Sequence, residues 1–462
     1  MKKRKVPGAL VFSGILLILS CVVLGKGLVA ACSRWNGDYA MQKVVATVKN
    51  PGDSRAANAF SVEDLERLKK ELATGDISCT ARPGAGHTSV SSGSRTMDVR
   101  LTGVDHKYPL FGGVALKEGS FITPKQEEEG TLVAVIDDEL AWEMFKTDNA
   151  VGKTLDLYGA VFRITGIVEK DRSLLGKLTD DGLPDVYIPA AVMLELDGKA
   201  GITTLQIKTP DARRLDLNGT AVADALRQLG KVPSNYNISD YNLKLALMEQ
   251  KPLLLVFILG TVSMLLLAAH AKKLASRLYV LIRDGCRTDY LSNVIRCNLK
   301  AVGRDLAEMA AVLLGMALIW KGISFSLYVP PRNIPDQLIN ISYYSGLMKA
   351  AVQSGIQKMG YVPSETELAV NTIDILLNLL FWISLLLGLL LLYAGFREFK
   401  ALKVDLGSLT ATTGLYFGVS MALLAVGAFW AGLPFLPEEK SLLVVWTFIF
   451  LNALSNQKGT SP

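Results

Sequence analysis

Long apolar runs alternate along the chain with segments of mixed polarity. Six runs are candidates for membrane-spanning helices, namely Val6–Ala31, Pro252–Ala271, Leu306–Leu327, Ile373–Gly395, Ala411–Leu433 and Ser441–Asn456. A helix needs roughly 20 apolar residues to cross the hydrocarbon core of a bilayer, and the last run is the shortest. The pattern predicts an α-helical transmembrane bundle of about six helices.

The segment Ser33–Gln250, between the first two runs, carries the periodicities of both helices and strands. In "FSVEDLERLKKEL", Ser61 occupies an N-cap position, Asp64 follows three residues later, and Phe60 can contact the first helical turn. "TMDVRLTGV" and "VFRITGIV" alternate as strands do, and "TLVAVI" runs into the helical "DDELAWEMF". These patterns predict a large mixed α+β domain inserted between helices 1 and 2.

Two further segments extend this picture. "SDYNLKLALMEQKP" is helical in pattern and leads directly into the second apolar run, as a rigid stalk would. The segment Tyr328–Thr372 between the third and fourth runs contains the helical "YSGLMKAAVQSGIQKMG". A structureless connection of this length is uncommon, so we expect it to pack on the α+β domain.

Charge and composition set the orientation. Half of the 462 residues are apolar and 20% are charged, as in membrane proteins. Lysine and arginine cluster at residues 2–5, 270–305 and 397–403. Cytoplasmic segments collect such residues, so both termini are expected in the cytoplasm. Ser33–Gln250, with 31 acidic and 26 basic residues, is then extracytoplasmic.

The resulting layout has twelve segments. They are a basic N-terminus with helix 1 (1–32), the extracytoplasmic domain (33–250), helix 2 (251–271), a cytoplasmic segment (272–305), helix 3 (306–327), an extracytoplasmic loop (328–372), helix 4 (373–395), a basic cytoplasmic loop (396–410), helix 5 (411–433), a short outer loop (434–440), helix 6 (441–456) and a cytoplasmic tail (457–462).

The first apolar run and the cysteines leave alternatives open. "ILSC" and "VAAC" resemble cleavage sites, but a signal peptide has an apolar region of about 7–15 residues. The first run is longer, which favours an uncleaved anchor. Only Cys32 and Cys79 are placed to meet outside the cell, where a disulfide is permitted, and the sequence does not decide whether they pair.

Catalytic chemistry finds no support in the sequence. Gly152-Lys153-Thr154 has the ending of a phosphate-binding loop, but Thr147 stands where that loop requires glycine, and a helix precedes the triplet. The three histidines are far apart, and neither HExxH, CxxC nor Gly-x-Ser-x-Gly occurs. We expect no catalytic or metal-binding residues, no cofactor, and no nucleic-acid partner.

One helix carries a packing signal. Gly414, Gly418 and Ala422 place small residues four apart on one face of the fifth run. Small residues at this spacing let membrane helices approach closely, so this face is a candidate helix contact.

The order of motifs resembles the MacB/FtsX-like ABC transporter permeases. "LTGVDHKYPLFGGVALKEGSFIT", "TLVAVIDDELAWEMF", "AVGKTLDLYGAVFRITGIVEK" and "PDVYIPAAVML" follow one another as in the periplasmic core domain of that family. The resemblance covers roughly residues 1–405 and makes Gly152-Lys153-Thr154 a turn that enters a strand. The family usually has four spans, so the fifth and sixth helices would be additions.

A cytoplasmic segment carries the same resemblance. "RLYVLIRDGCRTDYLSNVIRCNL" is similar to the family's coupling segment, which docks on the ATPase subunit. The candidate coupling residues are Arg283, Asp284, Gly285, Cys286 and Arg287. The family's acidic residue is replaced by the neighbourhood of Leu278 and Tyr279, and a basic loop without a partner is the alternative.

The resemblance implies mechanotransmission in a bacterial cytoplasmic membrane. A separate cytoplasmic ABC ATPase would bind ATP, and a second permease chain would complete a homodimer or heterodimer. The output would be export or extraction of a peptide, lipid or antibiotic. The alternatives are a non-transporting regulator of an extracellular cell-wall hydrolase, acting through an extracytoplasmic partner, and a sensor.

Overall fold

The computed structural model describes residues 5–34, 36–49, 58–72, 76–84, 88–209, 217–287, 290–330, 334, 341–357, 365–402 and 404–457. The basic residues 2–4, parts of the segment 328–372, and the predicted tail beyond residue 457 fall wholly or partly outside these ranges. The contacts divide the chain into two units, each described separately. The α/β domain comprises Ala30–Leu247 with Tyr328–Ile373, and the helical unit comprises Met1–Val29, Met248–Leu327 and Asp374–Pro462.

The helices, in chain order, are α1 Lys5–Arg34, α2 Val62–Glu71, α3 Tyr108–Phe111, α4 Pro124–Glu128, α5 Asp138–Phe145, α6 Leu174–Thr179, α7 Ala190–Leu196, α8 Leu217–Gln228, α9 Tyr241–Gly285, α10 Leu291–Cys297, α11 Leu299–Ile323, α12 Ile341–Gln357, α13 Glu365–Ile383, α14 Leu389–Ala401, α15 Leu406–Trp430 and α16 Glu439–Gln457. A π-helical turn, Ser384–Gly388, joins α13 to α14.

The strands are β1 Lys43–Val48, β2 Ile77–Arg82, β3 Thr88–Ser92, β4 Arg95–Val104, β5 Leu116–Gly119, β6 Val133–Asp137, β7 Thr154–Leu157, β8 Ala160–Val168, β9 Asp185–Pro189, β10 Gly201–Lys208 and β11 Tyr236–Asp240. All eleven belong to one sheet with the order β11-β1-β10-β2-β4-β3-β7-β8-β6-β9, and β5 pairs with β8.

Part of this sheet closes on itself. Strand β9 pairs in parallel with β4 from Arg100↔Asp185 to Val104↔Pro189, so β4, β3, β7, β8, β6 and β9 form a ring. Strands β2, β10, β1 and β11 extend from β4 as an antiparallel sheet. One continuous apolar core includes residues from the ring, the antiparallel strands and the helices that cover them, among them Phe162, Ile188 and Leu205.

The first predicted helix of this domain forms for the expected reason. The Ser61 side chain accepts a hydrogen bond from the Asp64 N–H, and the Asp64 carboxylate accepts one from the Ser61 N–H. Reciprocal bonds of this kind satisfy two donors at a helix start. These bonds confirm the predicted N-cap at Ser61, and Leu65 and Leu68 bury the apolar face of α2.

The segment between the third and fourth predicted spans belongs to the α/β domain. The Asn237 amide on β11 donates to the Glu367 carboxylate at 2.8 Å, and the Lys244 amine donates to the Asn371 side chain at 3.3 Å. These two bonds tie the beginning of α13 to β11 and to the beginning of α9.

The helical unit contains long apolar helices. Within the described ranges, five are long and apolar enough to cross a membrane, namely Val6–Arg34, Tyr241–Gly285, Leu299–Ile323, Glu367–Ala401 and Leu406–Trp430. The sixth predicted span forms the helix α16 but is not among these five. The helix α1 is the most enclosed, with 61% of its most apolar window buried against 17–33% in the other four.

The observed helices differ from the apolar runs mainly at their ends. The second run covers less than half of α9, which begins at Tyr241 and ends at Gly285. The third run continues to Leu327, whereas α11 ends at Ile323 and begins earlier, at Leu299, with Lys300 and Arg304 inside it. Charged residues at helix ends lower the hydropathy of the run without ending the helix.

Candidate functional site

The predicted coupling segment lies at the carboxyl end of α9. The helix ends at Gly285, and the Cys286 N–H still donates to the Ile282 carbonyl at 2.9 Å as the chain turns away. The Arg283 guanidinium donates to the Asp284 carboxylate at 3.1 Å. Apart from the half-buried Gly285, all the predicted coupling residues are exposed.

A short helix packs directly against this end. The helix α10 presents the buried side chain of Val294 to Gly285, and a Cβ at position 285 would overlap the Val294 methyl groups. Glycine is therefore required at position 285 for α10 to lie this close to α9. The sequence did not identify Val294, because nothing in "YLSNVIRC" distinguishes this valine from other apolar residues.

The two helices and the start of α11 form a positively charged surface. Its exposed basic residues are Lys272, Lys273, Arg277, Arg283, Arg287, Arg296, Lys300 and Arg304. Among the residues described, only Arg283 and Arg304 of this set form ion pairs, with Asp284 at 3.1 Å and Asp305 at 3.7 Å. We name the exposed set the basic surface, and it suits an acidic partner surface or anionic lipid headgroups.

The small-residue face of α15 is only partly occupied within the chain. A Cβ on Gly414 would lie 3.5 Å from the Trp446 ring on α16. A Cβ on Gly418 would have no atom within 4 Å, and Ala422 is exposed. The predicted helix contact at this face stays a prediction.

Gly152-Lys153-Thr154 forms the turn that precedes β7. Gly152 has a φ of +88°, a conformation that favours glycine, and β7 begins at Thr154. The preceding helix is α5, and no helix begins at the triplet, so the geometry is not that of a phosphate-binding loop.

Other candidate chemistry is sparse. Among the described residues, no three or more metal-binding side chains lie close enough together to hold an ion. No disulfide joins the cysteines of the described residues, and the two whose pairing the sequence left open, Cys32 and Cys79, are each buried.

A charged cavity of about 150 Å³ lies in the α/β domain beside the ring. The Arg100 guanidinium donates to Asp185 at 2.7 Å, and the Lys170 amine pairs with Asp180 at 3.1 Å. Tyr108 and Tyr187 form an aromatic wall, with ring centroids 5.7 Å apart. Its two cationic side chains are already paired with carboxylates, so the cavity by itself defines no class of ligand.

A buried carboxyl group organises the floor of this cavity. Asp137 ends β6 and caps α5, accepting from the Leu140 N–H at 2.7 Å and from the Asp185 N–H at 2.9 Å. Burial raises the pKa of Asp137 to about 7, although both N–H donors favour its charged form. These bonds join β6, α5 and β9, which is a structural role.

The order of the domain and the helices along the chain is the main feature by which this protein can be compared with others. A mixed α/β domain lies between the first membrane-capable helix and the later ones, and one long helix continues from the last strand of that domain into the helical unit. No metal-binding group occurs among the described residues. The most distinctive surface is the basic surface, which lies at the end of α9.

Comparison with known proteins identifies the domain. The family model described as the MacB-like periplasmic core domain matches residues 10–228. The chain is 23% identical over 234 residues to the macrolide export ATP-binding/permease protein MacB of Aggregatibacter actinomycetemcomitans, covering 47% of this chain and 33% of that protein. It is 25% identical over 202 residues to the protein of the same name from Mannheimia succiniciproducens, covering 43% and 30%. The chain thus matches about a third of the length of these relatives.

Solved structures of two domains are also similar. The extracellular domain of the noncanonic ABC-type transporter YknZ from Gram-positive bacteria gives a TM-score of 0.35 at 16% identity, covering 43% of this chain and 99% of that one. The periplasmic region of MacB from Actinobacillus actinomycetemcomitans gives 0.36 at 18% identity, covering 44% and 89%.

The chain therefore contains a MacB-like periplasmic core domain over residues 10–228, and over that region it is similar to two MacB proteins. The five helices that are long and apolar enough to cross a membrane indicate an integral membrane protein.

Proposed function

We propose that this permease passes ATP-driven motion from a separate cytoplasmic ATPase to its extracytoplasmic α/β domain. The motion would serve export or extraction of a peptide, lipid or antibiotic. The ATP would be bound by the ATPase subunit, and a second permease chain would complete the transporter. The chain itself would require no cofactor.

The helix α9 carries this proposal. It is one element of 45 residues that begins directly after β11 and ends at Gly285. At 1.5 Å per residue this is about 68 Å, roughly twice the 30 Å thickness of a hydrocarbon core. A continuous helix of this length projects beyond the bilayer, so a displacement of one end would displace the other end.

The docking site for the ATPase would be the end of α9 together with α10. Gly285 lets α10 pack against the end of α9 through Val294, and we propose that the two helices move together. At this end of the basic surface, Arg287 and Arg296 are exposed and lack ion-pair partners among the described residues, and an acidic surface on the ATPase would neutralise them.

The orientation follows from the same charges. Cytoplasmic segments of membrane proteins collect lysine and arginine, so the basic surface and the N-terminus would lie inside the cell. The α/β domain is then outside, which fits the periplasmic location that the matching family model describes. The two MacB relatives are named as macrolide exporters, so an antibiotic is one candidate cargo.

The test is co-purification from the native membrane. The tagged chain is extracted in mild detergent, and the accompanying proteins are identified and counted. We expect a stoichiometric ATPase subunit that is lost from the double variant Arg283→Glu/Arg287→Glu. The matched control is Lys272→Glu/Lys273→Glu, which makes the same charge change 11–14 residues earlier in the chain, within α9, and should retain the ATPase.

Two results would count against the proposal. If the folded, membrane-inserted chain never recovers an ATPase, the reading as an ABC permease subunit fails. If both double variants lose the ATPase equally, the interaction depends on total positive charge and the predicted coupling segment is wrong.

A further inference from the structure

Lys43 is a fully buried lysine in the α/β domain. It begins β1, and its relative exposure is 0%. Its amine donates to the carbonyl of Phe111, the last residue of α3, and to the Gln206 side chain on β10 at 2.9 Å. The amine also lies 5.3 Å from the ring centroid of Tyr241, the first residue of α9. One side chain therefore contacts the sheet, α3 and the beginning of α9.

The carboxyl end of α1 reaches the same cluster. The Asn36 side-chain amide donates to the Cys32 carbonyl at 2.7 Å and lies 3.3 Å from the Met41 sulfur. The Cys32 and Met41 sulfurs are 3.8 Å apart, and the Lys43 N–H donates to the Met41 carbonyl at 2.9 Å. The ends of α1 and α9 that belong to the α/β domain thus converge on the first residues of β1.

The hydrogen-bond acceptors around the Lys43 amine are neutral. In the described part of the chain, no carboxylate forms an ion pair with it, and among the titratable groups of α1 the Cys32 thiol is the one that acts on the Lys43 charge. Across the strand pair, Lys208 faces Lys43, but its amine pairs with Asp76 at 3.3 Å. On β10 and α3 the direct partners are an amide and a carbonyl.

The helix α9 adds a second cation. The Lys244 amine lies 5.2 Å from the centroid of the Tyr241 ring, so this ring has two amines near it. Burial lowers the pKa of the Lys43 amine to about 7. An ordinary lysine remains charged to about pH 10.4, whereas Lys43 changes charge near neutrality.

The charge of the Lys43 amine determines how strongly the amine is attracted to the Tyr241 ring. An ammonium group has three N–H donors and is attracted to the face of an aromatic ring. A neutral amine has two donors, which Phe111 and Gln206 can accept, and its attraction to the Tyr241 ring is weaker. Loss of the proton therefore loosens the contact with α9 while the two hydrogen bonds to the domain remain.

We propose that Lys43 is a positioning residue that holds the beginning of α9 against the sheet, and that its proton sets the strength of that hold. The proposal rests on the proposed transmission of motion along α9, because it assigns the point at which that helix is fastened to the α/β domain. It predicts that the posture of α9 depends on external pH near neutrality.

The test uses the full chain in lipid nanodiscs without any ATPase, so its outcome is independent of whether an ATPase binds. A single 4-fluorophenylalanine replaces either Phe111, whose carbonyl bonds Lys43, or Phe257, which lies on α9 sixteen residues after Tyr241. The second reporter is about 24 Å along the helix from Tyr241. The ¹⁹F resonance of each reporter is followed from pH 5.5 to 9.

We expect both resonances to shift with one midpoint near pH 7. In Lys43→Met neither resonance should shift. In Lys43→Arg, which stays charged throughout, both should remain at their low-pH positions; this variant decides the question if the methionine variant does not fold. Lys125→Met, an exposed lysine with 82% side-chain exposure, should titrate as the unaltered chain does.

The proposal is overturned by either of two outcomes. If the Phe111 reporter titrates but the Phe257 reporter does not, Lys43 changes charge without positioning α9. If both reporters titrate in Lys43→Arg as they do in the unaltered chain, another group is responsible.

Discussion

The contact between α1 and α14 allows a quantitative prediction for Gly14→Ala. A Cβ on Gly14 would lie 2.8 Å from the Gly388 carbonyl oxygen and 2.8 Å from the Leu392 backbone nitrogen. Both obstacles are backbone atoms, which cannot rotate away as a side chain can. The Ser384 hydroxyl beside them donates to the Leu17 carbonyl at 2.6 Å, so the two helices are also joined by a hydrogen bond.

The loss of stability expected for Gly14→Ala follows from the distances between its Cβ and the two backbone atoms. Ordinary van der Waals contact begins near 3.4 Å, so the helices must separate by roughly 0.6 Å along this contact. Overpacking of a well-packed interior costs about 1–3 kcal/mol. Separation also lengthens the bond from Ser384 to Leu17, so we expect a loss of about 2 kcal/mol in the free energy of unfolding.

The assay is equilibrium unfolding in mixed micelles, with Gly303→Ala as the matched control. A Cβ on Gly303 of α11 would have no atom within 4 Å, so this variant shares the gain of about 1 kcal/mol in helix propensity without the clash. The reasoning is refuted if Gly14→Ala is as stable as Gly303→Ala within about 0.5 kcal/mol.

Four further predictions address other parts of the chain. Ser61→Ala should lower the free energy of unfolding by about 1 kcal/mol, measured by denaturant titration, because the capping box of α2 is lost. The stability of the unaltered chain should rise between pH 7 and about pH 10, because the unfolded Lys43 binds a proton that the folded one has released; Lys43→Met should remove this rise in thermal unfolding curves. Gly285→Val should reduce recovery of the ATPase at least tenfold in co-purification while expression persists, because its side chain overlaps Val294. Gly418→Leu should leave the unfolding curve of the chain unchanged but lower the dimer fraction by light scattering, if the face of α15 pairs with a second copy.

Each of these has a contradicting result. If the free energy of unfolding is the same in Ser61→Ala as in the unaltered chain, the capping bonds add nothing to stability. A pH-dependent rise that persists in Lys43→Met would assign the proton to another group. Full recovery of the ATPase by Gly285→Val would separate docking from the α9–α10 contact, and a destabilised Gly418→Leu monomer would show that the face packs within one chain.

Local rules predicted the parts of the fold that depend on neighbouring residues. The capping box at Ser61 and Asp64 is set within four residues and was predicted from the sequence pattern, whereas the turn at Gly152 was expected from the family resemblance. The continuation of α9 beyond the apolar run was predicted on the stalk side from its helical pattern. These features need no knowledge of distant partners.

Features that depend on distant pairing were not predicted. The parallel pairing of β4 with β9 joins residues 85 positions apart, such as Arg100 and Asp185, and no local pattern encodes it. Lys43 was not recognised as buried, because lysine is ordinarily exposed and its acceptors come from residues 68 and 163 positions away. The contact between Gly14 and the π-helical turn likewise depends on two distant helices meeting.

The most direct test of transmission along α9 uses the assembled transporter. A 4-fluorophenylalanine at Phe111 reports on the α/β domain while ATP is added to the chain with its ATPase in nanodiscs. The account predicts that ATP shifts the ¹⁹F resonance and that Arg283→Glu/Arg287→Glu abolishes the shift. An ATPase that binds and hydrolyses ATP on the unaltered chain while reporters at Phe111 and Phe257 stay unmoved would contradict it.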